Sequence, residues 1–277
     1  MKIDTHQHFW IYNPRDYAWI GPGMEVIQHD FLPADLKPLL ASEGIDETVV
    51  VQARQTLEES RWLLELANQN DFIRGVVGWV DPRSARVRDQ LEMFAPHPKF
   101  CGVRHIVHDE PDDQFMMRED FRRGIRLLKD FGLTYDLLLF PRHLPVARRL
   151  VEEFPDQPFV LDHISKPHIK QHKLDPWLAD LRQLASLENV FCKVSGMVTE
   201  ADWKNWQPSD FEPYLDAVFE CFGTERIMIG SDWPVCTLAA PYSNVIQIAR
   251  DYVGKLSADE QADVWANNAR SFYGFPG

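Results

Sequence analysis

The chain has 277 residues, 45% hydrophobic and 26% charged, with a formal net charge of −13. Such a length and apolar content suit a globular fold with a large core, while an acidic chain lacks the clustered Lys and Arg that nucleic acid or an anionic membrane surface requires. No apolar run approaches the ~18 residues of a membrane span, and the opening "MKIDTHQHFW" has no signal-peptide character, so a cytoplasmic protein with no nucleic-acid or membrane partner is expected.

The first element in chain order is the short apolar run "KIDTH" at 2–6. Residues 9–35 follow it, with aromatics interleaved among Pro and Gly, too long for a plain connection and expected to lie over the open end of strand 1. "ETVVVQA" (47–53) is the second run, and "LEESRWLLELANQN" (57–70) then repeats apolar residues at helical spacing through Leu57, Leu64, Leu63, Leu66 and Ala67. "IRGVVGWVD" (73–81) and "FCGVRHIV" (100–107) are the third and fourth runs. "EDFRRGIRLLKDFG" (119–132) reads as a helix through Phe121, Ile125, Leu128 and Phe131, stopped by Gly132. "LTYDLLLF" (133–140), a helix in "LPVARRLVEEFPD" (144–156), "PFVLDHIS" (158–165) and "VFCKVSG" (190–196) continue the alternation. A second long loop, 197–212, carries Trp203 and Trp206. "PSDFEPYLDAVFECFG" (208–223) predicts a helix capped by Ser209 or Asp210 and ended by Gly223, and "RIMIGSDWP" (226–234) is the eighth run. The runs are nearly continuous in Val, Ile, Leu and Phe, as strands buried on both faces are. Eight strands alternating with helices predict an α/β chain folded as one (β/α)8 TIM barrel spanning 1–277; no Gly-rich phosphate loop supports an open doubly wound sheet. The four cysteines, Cys101, Cys192, Cys221 and Cys236, form no C-x-x-C and are expected to be reduced and mostly buried.

In such a barrel the chemistry sits at the C-terminal ends of the strands. Those ends carry His6 and His8, Gln52, Trp79, Arg104 and His105, Asp136, Asp162 and His163, Ser195, and Asp232 with Trp233. His6 and His8 are two apart on one strand, so both rings point the same way. Two neutral imidazoles so placed can ligate a metal or hydrogen-bond a substrate oxygen. His163 and Asp232 extend that set at the sixth and eighth strand ends. His108 is read as less central, His143 as a helix cap, and His168 and His172 as part of a solvated basic loop.

H-x-H after strand 1, His after strand 6 and Asp after strand 8 resemble the amidohydrolase superfamily. "GVRHIVHDE", "FVLDHISKP", "GSDWP" and the closing "NNARSFYGF" resemble its amidohydrolase-2 branch, which contains lactonases, and "VQARQTLEES" with "GVVGWVD" is similar to the L-fuconolactone and L-rhamnonolactone hydrolases. Binuclear members of the superfamily carry a bridging Lys or Glu at strand 4 and a His at strand 5. Here those positions read "GVRH" and "TYDLLLF", so no binuclear centre is expected. His6, His8, His163 and Asp232 can hold one divalent ion such as zinc, and the lactonase resemblance implies hydrolysis with no strict metal requirement.

The resemblance implies a small-molecule sugar lactone as partner, opened to the aldonic acid. Asp232 is the expected general base on water, with His6, His8, His163 and Arg104 as donors to the developing oxyanion. Gln52, His105, Asp136 and Lys166 are the expected partners of sugar hydroxyls. Trp10, Trp79 and Trp233, with Tyr12 and Trp19, are candidates for an apolar platform. Two other readings stand beside this one: a metal-dependent decarboxylase of a small aromatic acid, and a non-catalytic sugar-binding barrel. The sequence carries no signal for an oligomeric state.

Overall fold

The eight apolar runs become eight short parallel strands, and where each one stops places the site. A computed structural model describes residues 1–275; the last two residues of the expected domain, 276 and 277, lie outside the described residues. The strands are β1 (Ile3–Gln7), β2 (Glu47–Val51), β3 (Ile73–Gly78), β4 (Phe100–His105), β5 (Thr134–Leu137), β6 (Phe159–Leu161), β7 (Val190–Val194) and β8 (Ile227–Ile229). Each pairs in parallel with the next in the order β1 to β8. The helices are α1 (Pro33–Ser42), α2 (Leu57–Gln69), α3 (Val87–Phe94), α4 (Glu119–Leu128), α5 (Leu144–Glu153), α6 (Trp177–Ala185), a single turn α7 (Met197–Glu200), α8 (Glu212–Phe222), α9 (Tyr242–Val253), α10 (Ala258–Ala262) and α11 (Asn268–Tyr273). This is the single (β/α)8 TIM barrel that the alternation predicts.

β1 and β8 meet at a seam rather than along a full ladder. Gln7 and Trp233 form an isolated parallel bridge. The seam is closed by His8 N donating to Trp233 O (2.7 Å), Asp232 N donating to His6 O (2.8 Å) and Thr5 Oγ1 donating to Ile229 O (2.8 Å). One backbone hydrogen bond therefore fixes His6 against Asp232. Successive strand residues face opposite sides: Val49 and Val51 pack with Ile3, Val77, Val160 and Met228, while Val50 packs into the larger cluster that includes the helices. Ala269, Phe272 and Tyr273 of the C-terminal segment join the first of these clusters and plug one end of the barrel.

Several expected boundaries shift. β6 and β8 are three residues each, and "DHIS" and "GSDWP" leave the sheet as turns. The helix expected over 208–223 begins at Glu212; Pro208–Asp210 is a separate 3-10 turn, in which Asp210 Oδ2 accepts from Gln207 N at 2.8 Å instead of capping the helix. Gly132 and Gly223 end their segments as expected, at φ 64° and 65°. The 9–35 segment folds back on itself through a reciprocal Trp10–Phe31 backbone pair (3.0 and 2.9 Å). The cysteines are free; Cys101, Cys192 and Cys236 are buried, Cys221 partly so. No described helix is long and apolar enough to cross a membrane.

Candidate active site

A cleft of about 290 Å³ opens at the C-terminal ends of the strands. His8 from β1, Arg104 from β4, His163 and Lys166 after β6, and Asp232 after β8 all line it. His6 lies just beneath, fully buried, its ring centroid 5.0 Å from that of His8 and 4.4 Å from that of His163.

The backbone holds three of these groups in costly conformations. His163, Ile164, Ser165 and Lys166 take φ values of 53°, 48°, 61° and 50°, a left-handed turn without a glycine, and Asp232 has φ 58°. Each such residue costs roughly 1 kcal/mol, and strain of this kind collects at functional sites because the surrounding fold must over-determine it. Trp177 Nε1 braces the turn by donating to Ile164 O at 2.8 Å. Two glycines make room: a Cβ on Gly196 would stand 2.6 Å from His163 Nδ1, and one on Gly230 would stand 2.6 Å from His6 Cβ.

The hydrogen-bond pattern sets the rings. Val51 O can only accept, so His8 Nδ1, 2.7 Å away, carries the proton and donates. His8 Nε2 then faces Asp232 Oδ1 at 3.3 Å, and His163 Nε2 lies 3.8 Å from the same oxygen. His163 Nδ1 is 2.9 Å from Ser195 Oγ. His6 Nδ1 is 3.2 Å from Asp162 Oδ1, while Arg104 Nη1 is 3.2 Å from His6 Nε2 and donates to Asp162 Oδ2 at 3.0 Å. Arg104 Nη2 donates to Gln52 O. Burial pushes His163 down to about 3, against the pull of Asp232, and holds His6 well below the usual imidazole range. Burial alone would raise Asp232; a ring proton on the facing His163, and then on His8, outweighs it and holds the carboxyl below the usual range.

The donor set suits a divalent cation. His8 Nε2 and Asp232 Oδ1 are two acceptors pointed at each other, a gap that only a proton or a cation relieves. Ligand atoms of His6, His8 and Asp232 lie within 4.8 Å of one another, and so do those of His6, Asp162 and His163. The four residues expected as one ligand set thus fall into two overlapping triads that share His6, and Asp162 joins them. Val51 O behind His8 and Asp162 behind His6 supply the outer hydrogen bonds that orient ligating imidazoles.

Seven residues expected at the substrate do not line the cleft, Tyr12 among them, whose ring stacks on Tyr17. His105 follows inward-facing Arg104 on β4 and so points outward, where Trp79 Nε1 donates to its Nδ1 (3.2 Å), Glu110 Oε1 takes its Nε2 (2.7 Å), and Phe115 stacks on its ring. That arrangement also engages Trp79. Gln52 is buried behind Arg104. Asp136 is fully buried against Lys193 Nζ at 2.5 Å. Trp10 donates to His29 O at 2.9 Å and packs on Tyr17 and Phe31, and Trp233 packs on Phe9 and Phe31. Trp19, by contrast, does reach the cleft, as does Met24. His108, read as less central, lines the cleft and stacks on Phe140 with centroids 4.8 Å apart. His143 is a cap, accepting from Phe140 N at 3.1 Å.

Sequence reasoning missed Asp4 and Lys193. Asp4 Oδ1 accepts from Ser231 N (2.9 Å) and His6 N (3.2 Å), tying β1 to the loop after β8; burial pushes its carboxyl up to about 6. Lys193 sits between Asp136 and Asp162 beneath the site. Lys193 carried a readable signal, a charged residue between apolar neighbours inside a strand, whereas Asp4 stands among the polar residues of "IDTHQ".

A barrel whose strand ends gather three imidazoles around a carboxylate defines a hydrolytic, cation-tolerant class of site. The chain belongs to the amidohydrolase family, whose model matches residues 3–275. Curated L-fucono-1,5-lactonases of Burkholderia multivorans and Burkholderia ambifaria are 40% and 37% identical to it, over 100% and 98% of this chain and 97% and 95% of their own lengths. A crystal structure of an amidohydrolase from Burkholderia multivorans with bound zinc shares 39% identity, covers all of both chains and superposes with a TM-score of 0.97.

Proposed function

We propose that this protein hydrolyses a sugar lactone, an aldonolactone such as L-fucono-1,5-lactone, to the aldonic acid. The observation that carries the proposal is Asp232, an ionised carboxylate on strained backbone at the floor of the cleft, faced by His8 and His163. The full-length similarity to curated L-fucono-1,5-lactonases supports the choice of substrate class. The cleft has room for about one monosaccharide ring. Ile106, Leu138, Phe140, Val235 and Leu238 give it apolar lining that suits the methyl group of a 6-deoxy sugar.

Asp232 takes a proton from water as that water attacks the lactone carbonyl. With the Ser195 hydroxyl donating to His163 Nδ1, the His163 proton sits on Nε2, which faces Asp232 and the cleft. That N–H and the Arg104 guanidinium are the donors nearest the developing oxyanion. When the ring opens, the proton on Asp232 passes to the departing alkoxide, and the carboxylate is restored. A divalent ion held by His6, His8 and Asp232 supplies, when bound, polarisation of a carbonyl oxygen. His6 keeps its place through Asp162 on one side and Arg104 on the other.

A pH-indicator assay over a panel of aldonolactones, repeated after chelation, tests this reading. Turnover of at least one aldonolactone is expected, with kcat little changed by chelation. Loss of turnover on chelation overturns the expected metal independence; no turnover of any member overturns the lactonase reading itself.

A further inference from the structure

Around the mouth of the cleft, four ionisable side chains from three loops alternate in type. His108 Nε2 lies 3.2 Å from Asp109 Oδ1 on the loop after β4. Lys166 Nζ, after β6, donates to Glu200 Oε1 of α7 at 2.9 Å. The hydrogen bond from His108, and beyond it the charge of Lys166, hold the Asp109 carboxyl below its usual range. All four side chains line the cleft. Lys166 has little freedom to leave its partner: its side chain is 15% exposed and its backbone belongs to the left-handed turn.

The other Lys or Arg among the lining residues is Arg104, which lies on the floor at the reacting centre rather than at the rim, and its charge is paired with Asp162. Each lysine or arginine of the cleft therefore has a carboxylate partner inside the protein. A carboxylate on the far end of a substrate would shed water at the rim, find no unpaired lysine or arginine there, and face Glu200 and Asp109. A hydroxyl meets no such barrier. It donates to Glu200 or Asp109 and accepts from Lys166 while the pair stays intact.

We propose that the set His108, Asp109, Lys166 and Glu200 fixes the charge class of the substrate: uncharged polyhydroxylated lactones are taken, and lactones bearing a carboxylate are refused. The inference rests on the lactonase reading above and adds to it the residues that select. Glu200 is the central one, because it keeps Lys166 from serving as a carboxylate anchor.

The test uses three lactones of one ring configuration that differ only at C6: L-fuconolactone (methyl), L-galactonolactone (hydroxymethyl) and the matching galactaric monolactone (carboxylate). For the unaltered enzyme, kcat/KM for the carboxylate member is expected to be about 100-fold or more below that for the hydroxymethyl member. Glu200→Gln leaves Lys166 without its acid and should narrow that ratio by about 10-fold, through a lower KM for the carboxylate member. Adding Lys166→Met to Glu200→Gln should abolish the gain. Asp109→Asn, at a side chain 63% exposed, should move the ratio in the same direction by less and serves if the Glu200 variant fails to fold. Equal turnover of the hydroxymethyl and carboxylate members by the unaltered enzyme overturns the inference and leaves the lactonase reading standing. An unchanged ratio in folded Glu200→Gln also overturns it. No turnover of any of the three removes both.

Discussion

Two layers of charge lie one above the other in the barrel, and they are built to different ends. In the lower layer Lys193 Nζ sits 2.5 Å from Asp136 Oδ2 and 3.1 Å from Asp162 Oδ1, and Tyr273 OH donates to Asp136 at 3.2 Å. These groups are buried and answer one another. In the upper layer His8, His163 and Asp232 border open volume, two acceptors face each other at 3.3 Å, and Asp232 and His163 sit on left-handed backbone. Asp162 joins the layers, bound from below by Lys193 and from above by His6 and Arg104. Burial and charge by themselves do not mark chemistry. What separates the layers is whether the charges close on each other or converge, at the expense of backbone strain, on a space a ligand can enter.

The sharpest way to break this comparison is in the upper layer. Asp232→Asn should lower kcat by about 1,000-fold while the urea unfolding midpoint stays close to that of the unaltered protein; retained kcat would show that Asp232 is not the base. Lys193→Met in the lower layer should do the reverse first. It strands Asp136 in a dry interior and takes one cation from Asp162, so urea unfolding should show a loss of about 3–5 kcal/mol. An unfolding curve that overlays the unaltered protein would remove the structural role of that layer.

Another buried acid, Glu59, belongs to neither layer and tests whether burial acts alone. Glu59 accepts from Ala53 N (3.1 Å) and Arg54 N (2.8 Å), and burial pushes its carboxyl from 4.5 up to about 8. Between those values the folded protein holds a proton that the unfolded chain has released. Its contribution is therefore full below about pH 4.5 and is lost as pH rises through about 8. The loss is on the order of 5 kcal/mol, and Glu59→Gln should flatten that part of the profile when melting temperatures are compared at acidic and alkaline pH. The smallest effect belongs to the surface. Arg86 and Asp89, 81% and 59% exposed, pair at 2.9 Å, and Arg86→Ala should shift stability by less than about 0.5 kcal/mol in the same unfolding assay.

The barrel was legible because two-sided burial writes strands as continuous apolar runs, and the eight of them were countable. "HQH", "DHIS" and "GSDW" were legible as site material because polar residues at strand ends are conspicuous against such runs. Assigning both Arg104 and His105 to the mouth ignored the strand alternation that turns one of them outward. Lys193 was overlooked although a lysine inside "VFCKVSG" has to find an acid partner once both faces of the strand are buried.

By itself the sequence determined the order of strands and helices, the strand-end position of His6, His8, His163 and Asp232, and the acidic balance, since all of these follow from local residue pattern. Only the tertiary structure decided which charges meet. Asp136 was one more polar residue at a strand until Lys193, 57 positions away, closed on it. Lys166 was read only as a partner of sugar hydroxyls until Glu200, 34 positions away, claimed its charge. Pairing of this kind depends on distances of a few ångströms between segments far apart in the chain, and only closure of the barrel sets those distances.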